Sequence, residues 1–205
     1  MADNFLFLEL RDYRINLILV ELRSIFSEKK SSNNIHITLK GPMTKIDLKK
    51  HYKYIEKYLK DNNSISIEGV GRFLNENFHV IYLKVNCGDL KKYNLWRKPD
   101  FDNSFNPHIT LYKGSNKELA DLVYNFLLSE NIQFKCVEFE FLVYKRKQRD
   151  MFYKPNLEEN LEYKNLLSVE RNLLKRAKKS MEKFLSSNKS LQPASQISTH
   201  EFALF

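Results

Sequence analysis

The sequence predicts a mixed α/β domain made of two equivalent halves, followed by a helical extension, and three observations carry that prediction. The tetrapeptide His-Ile-Thr-Leu occurs twice, at residues 36–39 and 108–111. Each copy runs into a lysine-containing stop with glycine, as LKGP and LYKG, and each is followed by a helical pattern. Between residues 5 and 146, alternating apolar stretches and stretches of helical period interleave. The repeat is not accidental: five histidines and four threonines scattered over 205 positions would give about 0.1 His-x-Thr pairs by chance.

Taken in order, FLFLEL (5–10) is a short apolar run with some alternation and reads as a strand. In RDYRINLILVELRSIF (11–26), Ile15, Leu17, Ile18, Leu19, Leu22, Ile25 and Phe26 fall at helical spacing. SEKKSSNN (27–34) is a polar loop, and NIHITLKGP is a strand stopped by Gly41-Pro42. Leu48, Tyr52, Ile55, Tyr58 and Leu59 mark a second helix from about 47 to 60, broken by Asp61-Asn62-Asn63. SISIEGVGRFL and NFHVIYLKVN alternate and are joined by Asn75-Glu76-Asn77, a hairpin signal. Gly69-x-Gly71 lacks the third glycine and the strand-then-helix setting of a dinucleotide loop, so it reads as a bulge or turn. Residues 88–106 form a long polar-aromatic loop, of a kind that often carries function. NPHITLYKG is the next strand. Ser115 with Glu118 reads as a capping box opening the helix KELADLVYNFLLSE. QFKCVEFEFLVYKR (133–146) alternates throughout and reads as one closing strand.

After Pro155 the character changes. Leu161, Leu166, Val169, Leu173, Leu174, Ala177, Met181 and Phe184 outline a long amphipathic helix whose opposite face is strongly basic. That face is either simply solvated or a surface for a polyanion or a membrane. The expected organisation is a main α/β domain at 1–150, the helical extension at 151–187 and a flexible tail at 188–205. Forty-two per cent hydrophobic and 29% charged residues describe a globular chain. No run of 18 apolar residues is present, and the start MADNFLFLELRD is acidic where a signal peptide is basic, so the expectation is a cytoplasmic protein. Cys87 and Cys136 have no metal-ligand or disulfide-scaffold spacing and read as reduced core thiols. A net charge of +9 favours polyanionic partners, namely nucleic acid, nucleotides or an anionic membrane surface.

In a strand, residues i and i+2 share a face. His36 and Thr38 therefore face one way and Ile37 and Leu39 the other, and the same holds for His108 and Thr110 around Ile109 and Leu111. If the two strands lie side by side, two imidazoles and two hydroxyls meet in one wet cleft. Histidine titrates near pH 6.5, so one imidazole can accept a proton while the other donates one. Threonine hydroxyls, with a nearby lysine, can donate to phosphoryl oxygens as charge builds. A catalytic zinc wants three protein ligands. Neither motif carries a third, although His79 is available in principle; it reads instead as a structural strand histidine, while His51 and His200 lie in no motif. The expectation is that neither metal nor cofactor is needed.

With these residues in view, the pair IHITLKG and NPHITLYKG resembles the two H-x-T motifs of the two-histidine (2H) phosphoesterase superfamily, which includes the 2′-5′ RNA ligase-like proteins and RNA cyclic phosphodiesterases. The resemblance covers about residues 5–146 and leaves out 155–205. It implies a bilobal fold with pseudo-twofold symmetry, antiparallel-rich sheets flanking a cleft, and cleavage of 2′,3′-cyclic phosphates or 2′-5′ linkages by His36, Thr38, His108 and Thr110. Family members often carry a basic residue after the second threonine. Lys113 is the candidate here, with Lys40 at the matching place after the first motif; either could equally be an exposed strand-end charge. Tyr112 and Tyr144 are candidate base or ribose contacts, and Trp96 and Arg97 could stack on a base or hold a phosphate, or else anchor the loop. The expected substrates are RNA ends or oligoribonucleotides. A signalling nucleotide, such as a 2′-5′ oligoadenylate or a cyclic oligonucleotide, would use the same four residues. A non-catalytic nucleotide- or RNA-binding module is the reading from another class.

Overall fold

The computed structural model describes residues 4–27, 34–43, 48–74, 78–96, 106–145 and 166–188. Within them the chain is a mixed α+β structure with two antiparallel sheets and four helices. The elements are β1 (Asn4–Leu10), α1 (Tyr13–Phe26), β2 (His36–Met43), α2 (Leu48–Asp61), β3 (Ile65–Leu74), β4 (His79–Asn86), β5 (His108–Gly114), α3 (Lys117–Glu130), β6 (Gln133–Cys136), β7 (Phe139–Lys145) and α4 (Ser168–Ser187). One sheet has the order β2-β1-β7 and the other β5-β4-β3-β6, so the two His-Ile-Thr-Leu strands are each an edge strand.

Local chemistry accounts for the helix ends. The Asp12 carboxylate accepts from the Ile15 amide at 3.1 Å and starts α1. Asn116, not Ser115, caps α3: its side-chain oxygen takes the Leu119 amide at 2.9 Å, and Asn131, in the left-handed region at φ 46°, closes the far end. The run 133–146 is not one strand. β6 pairs with β3 in one sheet, whereas β7 pairs with β1 in the other, and residues 137–138 make the crossing.

The core is a single cluster. Leu6, Leu8 and Leu10 of β1, Ile37 and Leu39 of β2, Ile81 and Leu83 of β4, and Ile109 and Leu111 of β5 meet the apolar faces of α1 and α3. Helix α4 packs on α1 and α3 through Leu173, Leu174 and Ala177, with Arg14 paired to Glu170 at 3.5 Å and Arg176 forked onto Glu130 at 2.7 and 2.6 Å. Val169, expected on the buried face, is 71% exposed, because the packed face runs through Glu170, Leu173, Leu174 and Ala177 and leaves Val169 to one side. Cys87 and Cys136 are buried free thiols, and burial pushes Cys87 up to about 12. No helix among the described residues is long and apolar enough to cross a membrane. Residues 146–165 and 189–205, with the start of the extension and the tail, lie outside the described residues.

Candidate active site

Strands β2 and β5 approach each other at the seam between the sheets. Ile37 and Leu39 on β2, and Ile109 and Leu111 on β5, turn into the one core. His36 with Thr38, and His108 with Thr110, are therefore on the outward faces of adjoining strands. Thr38 is exposed, and the other three are half-buried.

The two copies agree beyond the tetrapeptide. On β2 the register steps from Phe7↔Thr38 to Leu6↔Lys40, and on β5 from Tyr82↔Thr110 to Ile81↔Tyr112. Each strand thus carries one extra residue, the leucine directly after the threonine, as a β-bulge. Each histidine Nδ1 lies 2.8 Å from the carbonyl oxygen two residues before it, Asn34 for His36 and Asn106 for His108. A carbonyl only accepts, so Nδ1 carries a proton in both rings. Each ring also leans on an aromatic from the neighbouring strand. Phe7 stacks on His36 at 4.0 Å between centroids and Tyr82 lies 4.7 Å from His108, at equivalent ladder positions. Behind these stand Tyr144 against Phe7 at 5.4 Å and Phe73 against Tyr82 at 4.5 Å.

The surroundings differ in charge. Opposite His36 on β1 is Glu9, only 5% exposed, paired with Arg11 at 2.9 Å and accepting from the Asn34 side chain at 2.7 Å. Arg11 also bonds Glu140. Opposite His108 on β4 is exposed Lys84. Burial lowers the His108 pKa from its ordinary value, with the Asn106 carbonyl opposing that shift.

The candidate binding residues divide. The bulge turns Lys40 inward, where it is 7% exposed and donates to the Asn94 carbonyl at 2.6 Å, fastening β2 to the 88–96 loop. Its ladder equivalent is Tyr112 and not Lys113. Tyr112 is likewise turned inward, 1% exposed, with its hydroxyl donating to Asn116 O at 3.0 Å. Both are core residues, and neither is on the outward face. Lys113 is exposed and sits 4.9 Å over the Phe78 ring. Tyr144 reaches the outward face as the outer ring of the Phe7 stack, and its hydroxyl is buried without a partner among the described residues. Trp96 is half-buried against the core, and Arg97 lies outside the described residues.

Sequence reading passed over Asn34, Asn106, Glu9, Phe7, Tyr82, Phe73 and Lys84. Only the asparagines had a visible signal, since the repeat is in fact Asn-x-His-Ile-Thr-Leu. The others come together through strand register, which a single sequence does not display. No group of three or more His, Cys, Asp or Glu side chains that could hold a metal occurs among the described residues. Comparison with protein-family models, with curated proteins and with solved structures finds no match.

Proposed function

We propose that this chain is a phosphodiesterase that cleaves 2′,3′-cyclic phosphates or 2′-5′ linkages of RNA or oligoribonucleotides by two-histidine acid/base catalysis, on a fold of the 2H phosphoesterase type. One observation carries the reading: two imidazoles on adjoining strands, each with Nδ1 bonded to a backbone carbonyl and each with a threonine two residues on. The matching bulges and aromatic backing support descent of the two strands from one plan, which is what the 2H architecture requires.

In the proposed cycle, His108 is the base. Its lowered pKa keeps it neutral near pH 7, so Nε2 takes a proton from water as the water oxygen bonds to phosphorus. His36, protonated, gives its Nε2 proton to the ribose oxygen as the P–O bond breaks. The Thr38 and Thr110 hydroxyls donate to the non-bridging oxygens as charge accumulates there. The two histidines finish with exchanged protonation states and reset through solvent. This chemistry asks nothing of a metal. Lys84 and Lys113 supply positive charge near the phosphates, and buried free cysteines suit a reducing, cytoplasmic setting.

The test is incubation with a 2′,3′-cyclic mononucleotide, a 2′-5′ dinucleotide and a cyclic dinucleotide, with and without EDTA, followed by end-group analysis. At least one is cleaved, EDTA is without effect, and H36A and H108A each lower kcat by a factor on the order of 10²–10⁴ with unchanged circular dichroism. Cleavage that needs added metal, or full activity in the double alanine variant, would sink the proposal. Tight, salt-sensitive RNA binding with no product would move it to a binding module.

A further inference from the structure

We propose that Glu9 and Tyr82 are positioning residues for the two histidines, acting through Asn34 and Asn106. The inference rests on the two-histidine reading above, but its observations are separate from those that suggested it. The carbonyl that takes the Nδ1 proton belongs in each case to an asparagine just ahead of the strand's first residue. A backbone carbonyl at such a position is only as fixed as the segment that carries it. The next residue is held by the neighbouring strand, through Leu10 N–H to Ile35 O and Val85 N–H to Pro107 O at 3.1 Å each, and the asparagine side chain ties the asparagine itself: Asn34 Nδ2 donates to Glu9 Oε1 at 2.7 Å, and Asn106 Nδ2 donates to the Tyr82 hydroxyl at 3.1 Å.

Both anchors are buried and held from behind. Glu9 is 5% exposed and is gripped by Arg11, which bonds Glu140 of the neighbouring strand as well. The Tyr82 ring lies over Gly71 so closely that a Cβ there would stand 2.3 Å from Cζ, and Phe73 packs beside it. The two halves thus reach the same end by unlike means, a carboxylate on one side and a phenol on the other. Fixing the carbonyl fixes the tautomer, and the tautomer decides which nitrogen meets the phosphate.

Nitrogen-15 spectra of the labelled full chain separate the Nδ1–H from the Nε2–H tautomer at each histidine and need no substrate. In the parent protein both His36 and His108 are expected in the Nδ1–H form. E9A shifts His36 toward the Nε2–H form preferred by a free histidine side chain and leaves His108 unchanged; Y82F, which keeps the ring and deletes the hydroxyl, shifts His108 and leaves His36 unchanged. Each lowers kcat about tenfold with KM within about twofold. E9Q, which retains an acceptor oxygen for Asn34 and most of the volume, restores the tautomer and most of the turnover; N34A, which removes the donor to Glu9, is expected to shift His36 as E9A does and stands in for it if E9A does not fold. Unchanged tautomers, or both histidines shifting together in either variant, overturn the proposal. A parent protein that cleaves none of the substrates overturns the assigned function instead, with the tautomer result still deciding the positioning role.

Discussion

A single proton separates the roles assigned to the two histidines, and its consequences are visible in pH. Because burial lowers the His108 pKa, the folded state prefers neutral imidazole. The stability this contributes is fully present above the unfolded value near 6.5 and is lost as pH falls from there toward the lower folded value. Urea melts of H108Q against the parent at pH 7.5 and pH 5 therefore show a smaller deficit for the variant at the lower pH. A deficit independent of pH would contradict the environment described. Turnover likewise retains its basic group to more acid pH than an exposed histidine allows, so the acid limb of kcat/KM lies below 6.5. Which residues matter at this scale was partly legible. The doubled motif named His36, Thr38, His108 and Thr110, and the asparagines stood in the string. Glu9 and Tyr82 were not legible, because they reach Asn34 and Asn106 across 25 and 24 positions of chain.

Elements decide where each side chain points, and here the simple alternation rule fails for a definite reason. Strict alternation along IHITLK would place Lys40 on the face of His36, and along PHITLY would place Tyr112 on the face of His108. The leucine bulges reverse the parity after each threonine, so Lys40 and Tyr112 go to the core. A bulge has no signature in a short apolar run, although the one at Gly69 was legible: there φ is 77° and the register slips between Ile67 and Val70. Two expectations belong to this scale. G71A drives a methyl into the Tyr82 ring and costs about 1–3 kcal/mol in a urea melt, with a loss of activity resembling that of Y82F. N116A removes the true cap of α3 and costs about 1 kcal/mol, whereas S115A is nearly neutral; the reverse order would restore the capping box expected from sequence.

At the scale of the whole molecule, the sheets stand between the histidines and α4. Helices α1 and α3 cover the core side of the strands, α4 covers those helices, and the histidines face away from that core. The basic face of the extension, with Lys175, Lys179 and Lys183 exposed at successive turns, is therefore remote from the proposed chemistry. The triple change K175E/K179E/K183E leaves kcat/KM for a mononucleotide within about twofold at 0.15 M salt, where charges are screened over about 8 Å. L174A, by contrast, opens a hole under α4 and costs about 2–5 kcal/mol, read from the urea midpoint. The layering also fixes an order of events during synthesis. Every strand of the β5-β4-β3-β6 sheet lies between residues 65 and 136, while β1 cannot complete its sheet until β7 has left the ribosome and paired Asn4 with Lys145. Short-range hairpins close before pairings that span most of a chain. β1 already pairs with β2, which carries His36, over a span comparable with that between β4 and β5, so what waits on the last strand is the other edge of β1, where β7 docks. Pulse-labelled hydrogen exchange during refolding should find β4 amides protected before those of β7. The histidine-bearing strands of both halves can therefore pair before the chain is complete, and only the Tyr144 side of the His36 stack waits for the last strand.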